Sequence, residues 1–354
     1  MKIFNELNAY FEDLEQQELF SGVATITRGS EQLFAGGYGY ANRAWQIKNT
    51  LETRFDTASI TKLFTAVAVL QLIDRQQLDF NTRVIDYLGL ENTAISRDVN
   101  IYHLLTHTSG IADDADEENG ESYEALWQSR PNYAVTATAD FLPQFAHKPA
   151  NFPPGQGCRY CNCGYVLLGL LIEKASGLTY RDYVRQNIFA KCGMTRSGFF
   201  HQAEVTEQLA EGYTPIRDAE ENITGWRKNI YAYPPIGSPD GGAHVTAQDL
   251  DRFLRAVKAG EVLTAAATQA FFTPQVHYLD RNGWEKKFGY GLWFYVEPDG
   301  KVVCAQKEGV NTGVSAVIRH FPAQDINVVL LCNLEDAVWK PVWKIHELII
   351  NAAW

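Results

Sequence analysis

The stretch FDTASITKLFTAVAVLQLID, residues 55–74, indicates both a central element of the fold and a candidate reactive site. Its long apolar run indicates a core helix, and Ser59 and Lys62 stand where that run begins. Positions three apart lie on one face of a helix, so these two side chains can touch. A serine hydroxyl becomes a good nucleophile when a base takes its proton. Ser59 is therefore a candidate nucleophile and Lys62 its candidate base.

The spacing alone leaves an alternative open, because Ser-x-x-Lys also occurs by chance in a chain of this length. A free lysine, with a pKa of about 10.4, holds its proton at neutral pH. Lys62 can act as a base only if desolvation or a second cation lowers that pKa. The amino end of a helix also favours negative charge that develops on Ser59.

Composition restricts the class of protein. The 354 residues are long enough for two lobes, and 46% of them are hydrophobic, as in ordinary globular proteins. The formal net charge is −11, with 42 acidic against 31 basic side chains. Nucleic-acid surfaces need clustered lysine and arginine, so no nucleic-acid partner is predicted.

The amino-terminal segment predicts a cytoplasmic protein. Polar residues interrupt its helical pattern of apolar residues, which leaves no secretory leader unless one was removed before Met1. No run of about twenty apolar residues predicts a membrane span. The six cysteines are predicted to be free thiols. Cys158, Cys161 and Cys163 lack the paired spacing of a zinc site, so neither a metal nor a cofactor is predicted.

Strand patterns occur near both ends of the chain, with helical patterns between them. Residues 22–29 and 31–41 read as a hairpin, and four more strands are predicted over 288–297, 301–309, 313–321 and 326–333. This order predicts an α/β (α+β) fold, with one antiparallel sheet built from both chain ends, flanked by helices, and an inserted all-helical lobe. Residues 1–80 and 241–354 would form the α/β lobe, and residues 81–240 the helical lobe.

Two segments of the predicted helical lobe need separate interpretation. The acidic segment 113–121 is most simply a solvated loop. The aromatic and proline-rich segment 229–242 either lines the mouth of a cleft or caps the helical lobe. His107 is interpreted as structural, and His103 has no zinc-binding partner pattern near it.

Two further motifs accompany Ser59 and Lys62. Tyr160 and Asn162 precede an apolar helix in RYCNCGYVLLG, and Lys307 lies on a strand beside glycines in KEGVNTG. In this order the three motifs resemble those of the serine β-lactamase and penicillin-binding-protein superfamily. The resemblance covers nearly the whole chain. It is strongest to the branch of class C β-lactamases, D-alanyl-D-alanine carboxypeptidases and related esterases.

The resemblance implies a role for each motif residue. Ser59 would be acylated, with Lys62 as proton acceptor or relay. Tyr160 would carry protons to the leaving group or from the attacking water, its phenolate stabilised by Lys62 and Lys307. Asn162 would hold Lys62 and bind an amide of the substrate.

The strand motif implies the rest of the site. Backbone N–H groups of Ser59 and Val310 would form the oxyanion hole, and Gly309 would lie beside the substrate. Relatives carry Lys-Thr-Gly or His-x-Gly, where this chain has Glu308 in the middle. A carboxylate there would repel a substrate carboxylate by about 4 kcal/mol at about 4 Å. Either Glu308 points away and pairs with a cation, or the substrate is not a simple carboxylate.

These observations predict a serine hydrolase that acts through an acyl-enzyme on β-lactams or D-amino-acid peptides and amides. The alternatives are a small-ester esterase of the same fold and a penicillin-binding sensor with low turnover. The predicted partner is a small-molecule or peptide substrate. The chain itself would be a monomer or a weak oligomer.

Overall fold

An eight-stranded antiparallel sheet forms the centre of the computed structural model, which describes residues 6–116, 119–281 and 283–352. The strands are β1 (Gly22–Arg28), β2 (Glu31–Tyr38), β3 (Tyr40–Asn42), β4 (Ile47–Lys48), β5 (Phe55–Asp56), β6 (Tyr213–Arg217), β7 (Ile223–Lys228), β8 (His244–Val245), β9 (Val276–Arg281), β10 (Trp284–Phe288), β11 (Trp293–Val296), β12 (Val302–Asn311), β13 (Val314–Phe321) and β14 (Ile326–Cys332). The order in the large sheet is β2-β1-β14-β13-β12-β11-β10-β9, so strands from both chain ends pair at its centre.

Helices cover both faces of this sheet. They are α1 (Leu7–Gln16), α2 (Thr61–Asp74), α3 (Val84–Leu88), α4 (Ile101–Leu105), α5 (Tyr123–Ser129), α6 (Leu142–Phe145), α7 (Asn162–Ser176), α8 (Tyr180–Val184), α9 (Ala247–Lys258), α10 (Ala265–Phe271) and α11 (Trp339–Ile350). One apolar core surrounds α2 and α7, and a second lies between the sheet and the terminal helices α1 and α11. The predicted mixed fold, with an antiparallel sheet built from both chain ends, is confirmed.

Helix α2 is apolar on all sides because it is surrounded by protein. Its residues from Thr61 to Leu72 are all buried, and its contacts include α7, α8 and α10. A helix without a polar face fits only in such an interior position. No helix in the described part of the chain is both long and apolar enough to cross a bilayer.

The all-helical insert needs correction, because residues 81–240 also contain the hairpin β6–β7. Asp218 forms its turn by accepting hydrogen bonds from the backbone N–H groups of Glu220 and Asn222. The short strands beside this acidic turn show no clear alternation of apolar and polar residues in the sequence. The sheet also extends through β9 and β10, which were not predicted. The division at residues 80 and 240 stays a prediction.

Candidate active site

Ser59 lies in a tight turn between β5 and α2. The turn from Ala58 to Ile60 is a 3₁₀ helix, and Ala58 has a left-handed backbone with φ of 42°. The Ala58 N–H donates to Asp56 Oδ1 at 2.7 Å, and the Thr57 hydroxyl donates to the backbone oxygen of Ala243 at 2.8 Å. An alanine rarely adopts this conformation unless its surroundings impose it. The contacts at Asp56 and Thr57 hold the nucleophile in one orientation.

Lys62 joins Ser59 to both sides of the cleft. Its side chain is fully buried. The Lys62 Nζ is 3.1 Å from Ser59 Oγ, 2.6 Å from Asn162 Oδ1 and 2.7 Å from the backbone oxygen of Asp240. In the neutral amine, two N–H groups serve the oxygens of Asn162 and Asp240, which leaves the lone pair for the Ser59 hydroxyl. The two fixed acceptors hold Nζ beside Ser59, in position to exchange a proton with it.

Asn162 has a fixed amide orientation. Its Nδ2 donates to Asp113 Oδ2 at 3.1 Å and to the Tyr123 hydroxyl at 2.7 Å. Its backbone N–H donates to the same Asp113 oxygen, at 2.9 Å. Because both acceptors lie on the nitrogen side, Oδ1 must face Lys62. Asp113 and Tyr123 therefore position the group that holds the lysine.

The prediction that residues 113–121 form a solvated loop is wrong for its described first part, whereas Glu117 and Glu118 lie outside the described residues. The Asp113 carboxylate accepts hydrogen bonds from the backbone N–H groups at the start of α7, and Asp114 is buried. Ligand atoms of Asp113, Asp114 and Cys163 lie within 4.8 Å of one another. The Asp113 contacts serve the protein's own N–H groups, so this cluster supports no metal proposal. The sequence shows the charges but not the helix start that they cap.

Asp114 should make stability depend on pH. Burial and the neighbouring Asp113 raise the pKa of Asp114 to about 7. The native state therefore keeps a proton that the unfolded chain releases near pH 4, so stability should fall as pH rises from about 4 to 7. Asp114→Asn should remove this slope when the free energy of unfolding is measured by urea denaturation at pH 5 and pH 8. If the free energies of unfolding of Asp114→Asn and wild type differ by the same amount at pH 5 and pH 8, the raised pKa of Asp114 would be contradicted.

Tyr160 lies between the two lysines of the site. The Lys307 Nζ is 3.5 Å from the Tyr160 hydroxyl, and it is 4.8 Å from the centre of the phenol ring. The Lys62 Nζ is 5.1 Å from the same ring centre. Burial and the positive charge of Lys62 hold the pKa of Lys307 well below its usual range. The lowered pKa and the contact with the hydroxyl suit Lys307 to exchange a proton with Tyr160.

His107 packs against Tyr160, with the two ring centres 4.6 Å apart. Its Nδ1 accepts a hydrogen bond from the backbone N–H of Cys161 at 3.1 Å. Burial, together with Lys307 and Lys62, lowers the pKa of His107 well below its usual value, so the ring is neutral. These contacts agree with a structural role. His103 forms a capping box with Asn100 at the start of α4.

Strand β12 passes very close to the nucleophile at Gly309. A Cβ atom added at Gly309 would lie 2.0 Å from the backbone oxygen of Thr57 and 2.8 Å from the backbone nitrogen of Ser59. Only glycine permits this approach. The next residue, Val310, borders the same cavity as Ser59. The strand backbone therefore lies where an oxyanion hole needs it.

Glu308 does not take the predicted place in the substrate site. Side chains alternate along a strand, so Glu308 and the neighbouring Lys307 face opposite sides of the sheet. The Glu308 carboxylate accepts a hydrogen bond from Gln306 and lies 3.9 Å from the Lys286 Nζ. Of the two alternatives, the structure supports the one in which Glu308 points away and pairs with a cation. The predicted repulsion of substrate carboxylates therefore does not arise.

The cavity beside Ser59 is lined by α5, by the strand β12 and by the segment 229–242. Its lining is mainly apolar and aromatic: Asp56, Ala58, Tyr123, Trp127, Phe141, Asn162, Tyr233, Pro234, Ile236, Gly237, Ser238, Asp240, Gly241, Gly242, Val310 and Asn311. Segment 229–242 therefore borders the mouth of the cleft, which settles the alternative left open by the sequence. Three groups of this site were not predicted because no sequence motif marks them: Tyr123, Trp127 and the backbone oxygen of Asp240.

A buried lysine held against a serine, with a tyrosine and a second lysine opposite, defines a serine hydrolase of the β-lactamase and penicillin-binding-protein type. The Beta-lactamase family model matches residues 7–342, and the chain belongs to this family.

Known relatives agree with this class. The chain is similar to penicillin-binding protein 4* of Bacillus subtilis, with 26% identity over 93% of this chain and 72% of the relative. It is 28% identical to esterase EstB of Burkholderia gladioli, over 72% of this chain and 69% of the esterase. The crystal structure of a penicillin-binding protein from Bacillus halodurans superposes with a TM-score of 0.87 and 36% identity, covering 95% of this chain and 99% of that one.

Proposed function

We propose that Ser59 attacks the carbonyl carbon of an amide, β-lactam or ester and becomes acylated. Lys62 takes the hydroxyl proton as the Ser59 oxygen bonds to the carbonyl carbon. The single observation that carries this proposal is the 3.1 Å contact between Lys62 Nζ and Ser59 Oγ, with Nζ held by two further acceptors. The backbone N–H groups of Ser59 and Val310 donate hydrogen bonds to the carbonyl oxygen and stabilise the negative charge that develops on it.

Tyr160 and Lys307 complete the proton path in this proposal. The proton on Lys62 passes through the Tyr160 hydroxyl to the leaving nitrogen or oxygen as its bond to the acyl carbon breaks. Water then enters and attacks the acyl carbon while one of its protons passes to Tyr160. A proton returns through Lys62 to Ser59 Oγ as the bond between Oγ and the acyl carbon breaks, which releases the product acid. The contact between Lys307 Nζ and the Tyr160 hydroxyl supports this route, since Lys307 stabilises the phenolate while the proton is away.

The proposed substrates are D-amino-acid peptides or amides and β-lactams. The aromatic and apolar lining of the cavity suits an apolar acyl group, and Asn311 offers an amide group at its polar side. Because Glu308 lies on the other face of the sheet, a substrate carboxylate meets no repulsion from it. The similarity to penicillin-binding proteins supports the same class.

A small-ester esterase is the second candidate. The apolar lining beside Ser59 is the observation that favours it, because a small acyl ester needs no charged partner. The similarity to esterase EstB points the same way.

Hydrolysis of a substrate panel tests the proposal. D-alanyl-D-alanine peptides, D-amino-acid amides, nitrocefin and p-nitrophenyl esters would be incubated with the wild-type protein and with Ser59→Ala. Turnover of any of the first three that depends on Ser59 supports the main proposal, and turnover of esters alone supports the second candidate. Turnover by Ser59→Ala at the wild-type rate would refute both.

Tyr160→Phe should slow deacylation more than acylation. The phenylalanine keeps the ring between Lys62 and Lys307 but removes the hydroxyl that activates water, and loss of a general base costs about 10² to 10⁴ in rate. Stopped-flow measurements with a p-nitrophenyl ester should then show a stoichiometric burst followed by slow turnover. His107→Gln, next to the same ring, serves as a packing control. Loss of the burst in Tyr160→Phe would contradict a mainly deacylating role.

Two predictions about the environment stay proposals. The six cysteines carry free thiols, five of them buried, which supports a reducing compartment such as the cytoplasm. A structural relative from Pyrococcus abyssi is octameric, with 25% identity. Sedimentation velocity would test the monomer or weak oligomer proposed for this chain.

A further inference from the structure

A second cavity, here called the rear cavity, lies on the opposite face of β12 from Lys307. It has a volume of about 310 Å³ and lies between the sheet and α11. Its lining combines three basic groups, one carboxylate and several aromatic or amide side chains: Arg281, Lys286, Tyr295, Gln306, Glu308, Arg319, Trp339 and Trp343. None of these residues borders the cavity beside Ser59. The proposed reaction therefore leaves the rear cavity without a role.

Arg319 brings a buried positive charge to the rear cavity. Its side chain is 1% exposed, and its Nε donates to Gln306 Oε1 at 2.8 Å. Its Nη1 lies 3.0 Å from Nδ1 of His346, which is neutral because burial and Arg319 lower the pKa of His346 to about 3. No ion pair within the described ranges joins Arg319 to a carboxylate. A buried guanidinium with only neutral partners is costly, and a bound anion would offset that cost.

Lys286 adds a second buried cation that is only loosely paired. Its side chain is largely buried, and its Nζ lies 3.4 Å from the centre of the Trp293 ring. Its distance to Glu308 Oε1, 3.9 Å, is longer than a charge-assisted hydrogen bond. Glu308 also accepts a hydrogen bond from Gln306. A single carboxylate therefore serves a lining that carries three basic groups.

The exposed Arg281 borders the rear cavity, and aromatic side chains form the rest of the wall. Trp339 and Trp343 come from α11, and Tyr295 comes from β11. Cationic groups hydrogen-bond carboxylates well, while aromatic walls suit an apolar body. An inorganic anion would use the charges but not the aromatic wall. The combination is that of a site for a small organic acid.

We propose that the rear cavity binds a small organic carboxylate, with its carboxylate between Arg281, Lys286 and Arg319 and its apolar body against the tryptophans of α11. Glu308 competes for Lys286, the cation beside it. The site lies behind the strand that carries Lys307 and is distinct from the substrate cavity.

Benzoate is the probe for this site, with inorganic phosphate as the comparison. We expect benzoate to raise the melting temperature and to shift the indole N–H signals of Trp339 and Trp343 in ¹H–¹⁵N spectra. The signal of Trp127, which borders the substrate cavity, should stay in place. Phosphate should bind more weakly than benzoate. Shifts at Trp127 alone, absence of binding, or tighter binding of phosphate would overturn the proposal.

Two variants should change the affinity for benzoate in opposite directions. Because a folding defect can only weaken binding, the pair keeps the test independent of folding. Arg281→Gln lies at the exposed rim and should weaken benzoate binding about tenfold, the effect of losing one charge-assisted contact. Glu308→Gln removes the competing carboxylate and should tighten binding. If Glu308 only supports the local structure, Glu308→Gln should not tighten benzoate binding. Unchanged affinity in Arg281→Gln, or weaker binding in Glu308→Gln, would contradict the assignment.

Discussion

Lys62→Met should slow acylation of Ser59 by about a thousandfold, within the range known for loss of a positioned general base. Methionine fills a similar volume but cannot take the Ser59 proton. It also cannot donate to Asn162 Oδ1 or to the backbone oxygen of Asp240, the two acceptors that hold Lys62. The chemical step should therefore fall more than substrate binding does, so kcat should drop while KM changes little.

Single-turnover kinetics with a p-nitrophenyl ester and a β-lactam would measure this effect. Lys174→Met is the matched control, because Lys174 is exposed on α7, the helix that begins at Asn162. Melting temperatures of the two variants would separate a loss of chemistry from a loss of fold. Acylation by folded Lys62→Met at the wild-type rate would show that another group activates Ser59.

Gly309→Ala should reduce kcat by about a hundredfold or more, the loss expected when one oxyanion-hole donor is displaced. The added methyl group would lie 2.0 Å from the backbone oxygen of Thr57, which no side-chain rotation can relieve. Strand β12 must then move away from Ser59 and carry Val310 with it. The overpacking should also destabilise the fold by about 1–3 kcal/mol.

Gly225→Ala is the matched control for Gly309→Ala. Gly225 is a strand glycine whose added Cβ would make only ordinary contacts, the nearest at 3.6 Å from the Ile216 side chain. Activity and the free energy of unfolding would be measured for both variants. Wild-type activity in Gly309→Ala would show that the close approach of β12 is not needed for catalysis.

The sequence was sufficient to predict six of the eight strands of the large sheet and the motif residues that meet in the cleft. Ser59 and Lys62 are three apart on one turn, so local geometry brings them together. Tyr160 and Lys307 could be placed only through the resemblance, because nothing local relates residues 147 positions apart. The structure now places both of them beside Lys62.

The missed features depend on tertiary contacts. Asp113 and Asp114 belong to an acidic run that is typical of solvated loops. The Asp113 carboxylate nevertheless accepts hydrogen bonds from the backbone N–H groups at the start of α7. Glu308 was expected near the substrate because the family motif places a small polar residue there. Strand alternation turns it instead toward Lys286, a cation that sequence could not associate with it.

Trapping the acyl-enzyme tests directly whether Ser59 is the nucleophile. Wild-type protein and Ser59→Ala would be incubated with a fluorescent penicillin, and intact masses followed over hours with peptide mapping. We expect one adduct per chain, on the peptide that contains Ser59, and none on Ser59→Ala. A lasting adduct would indicate low turnover, and a decaying one a β-lactam hydrolase. An adduct on another residue, or an equal adduct on Ser59→Ala, would contradict Ser59 as the nucleophile.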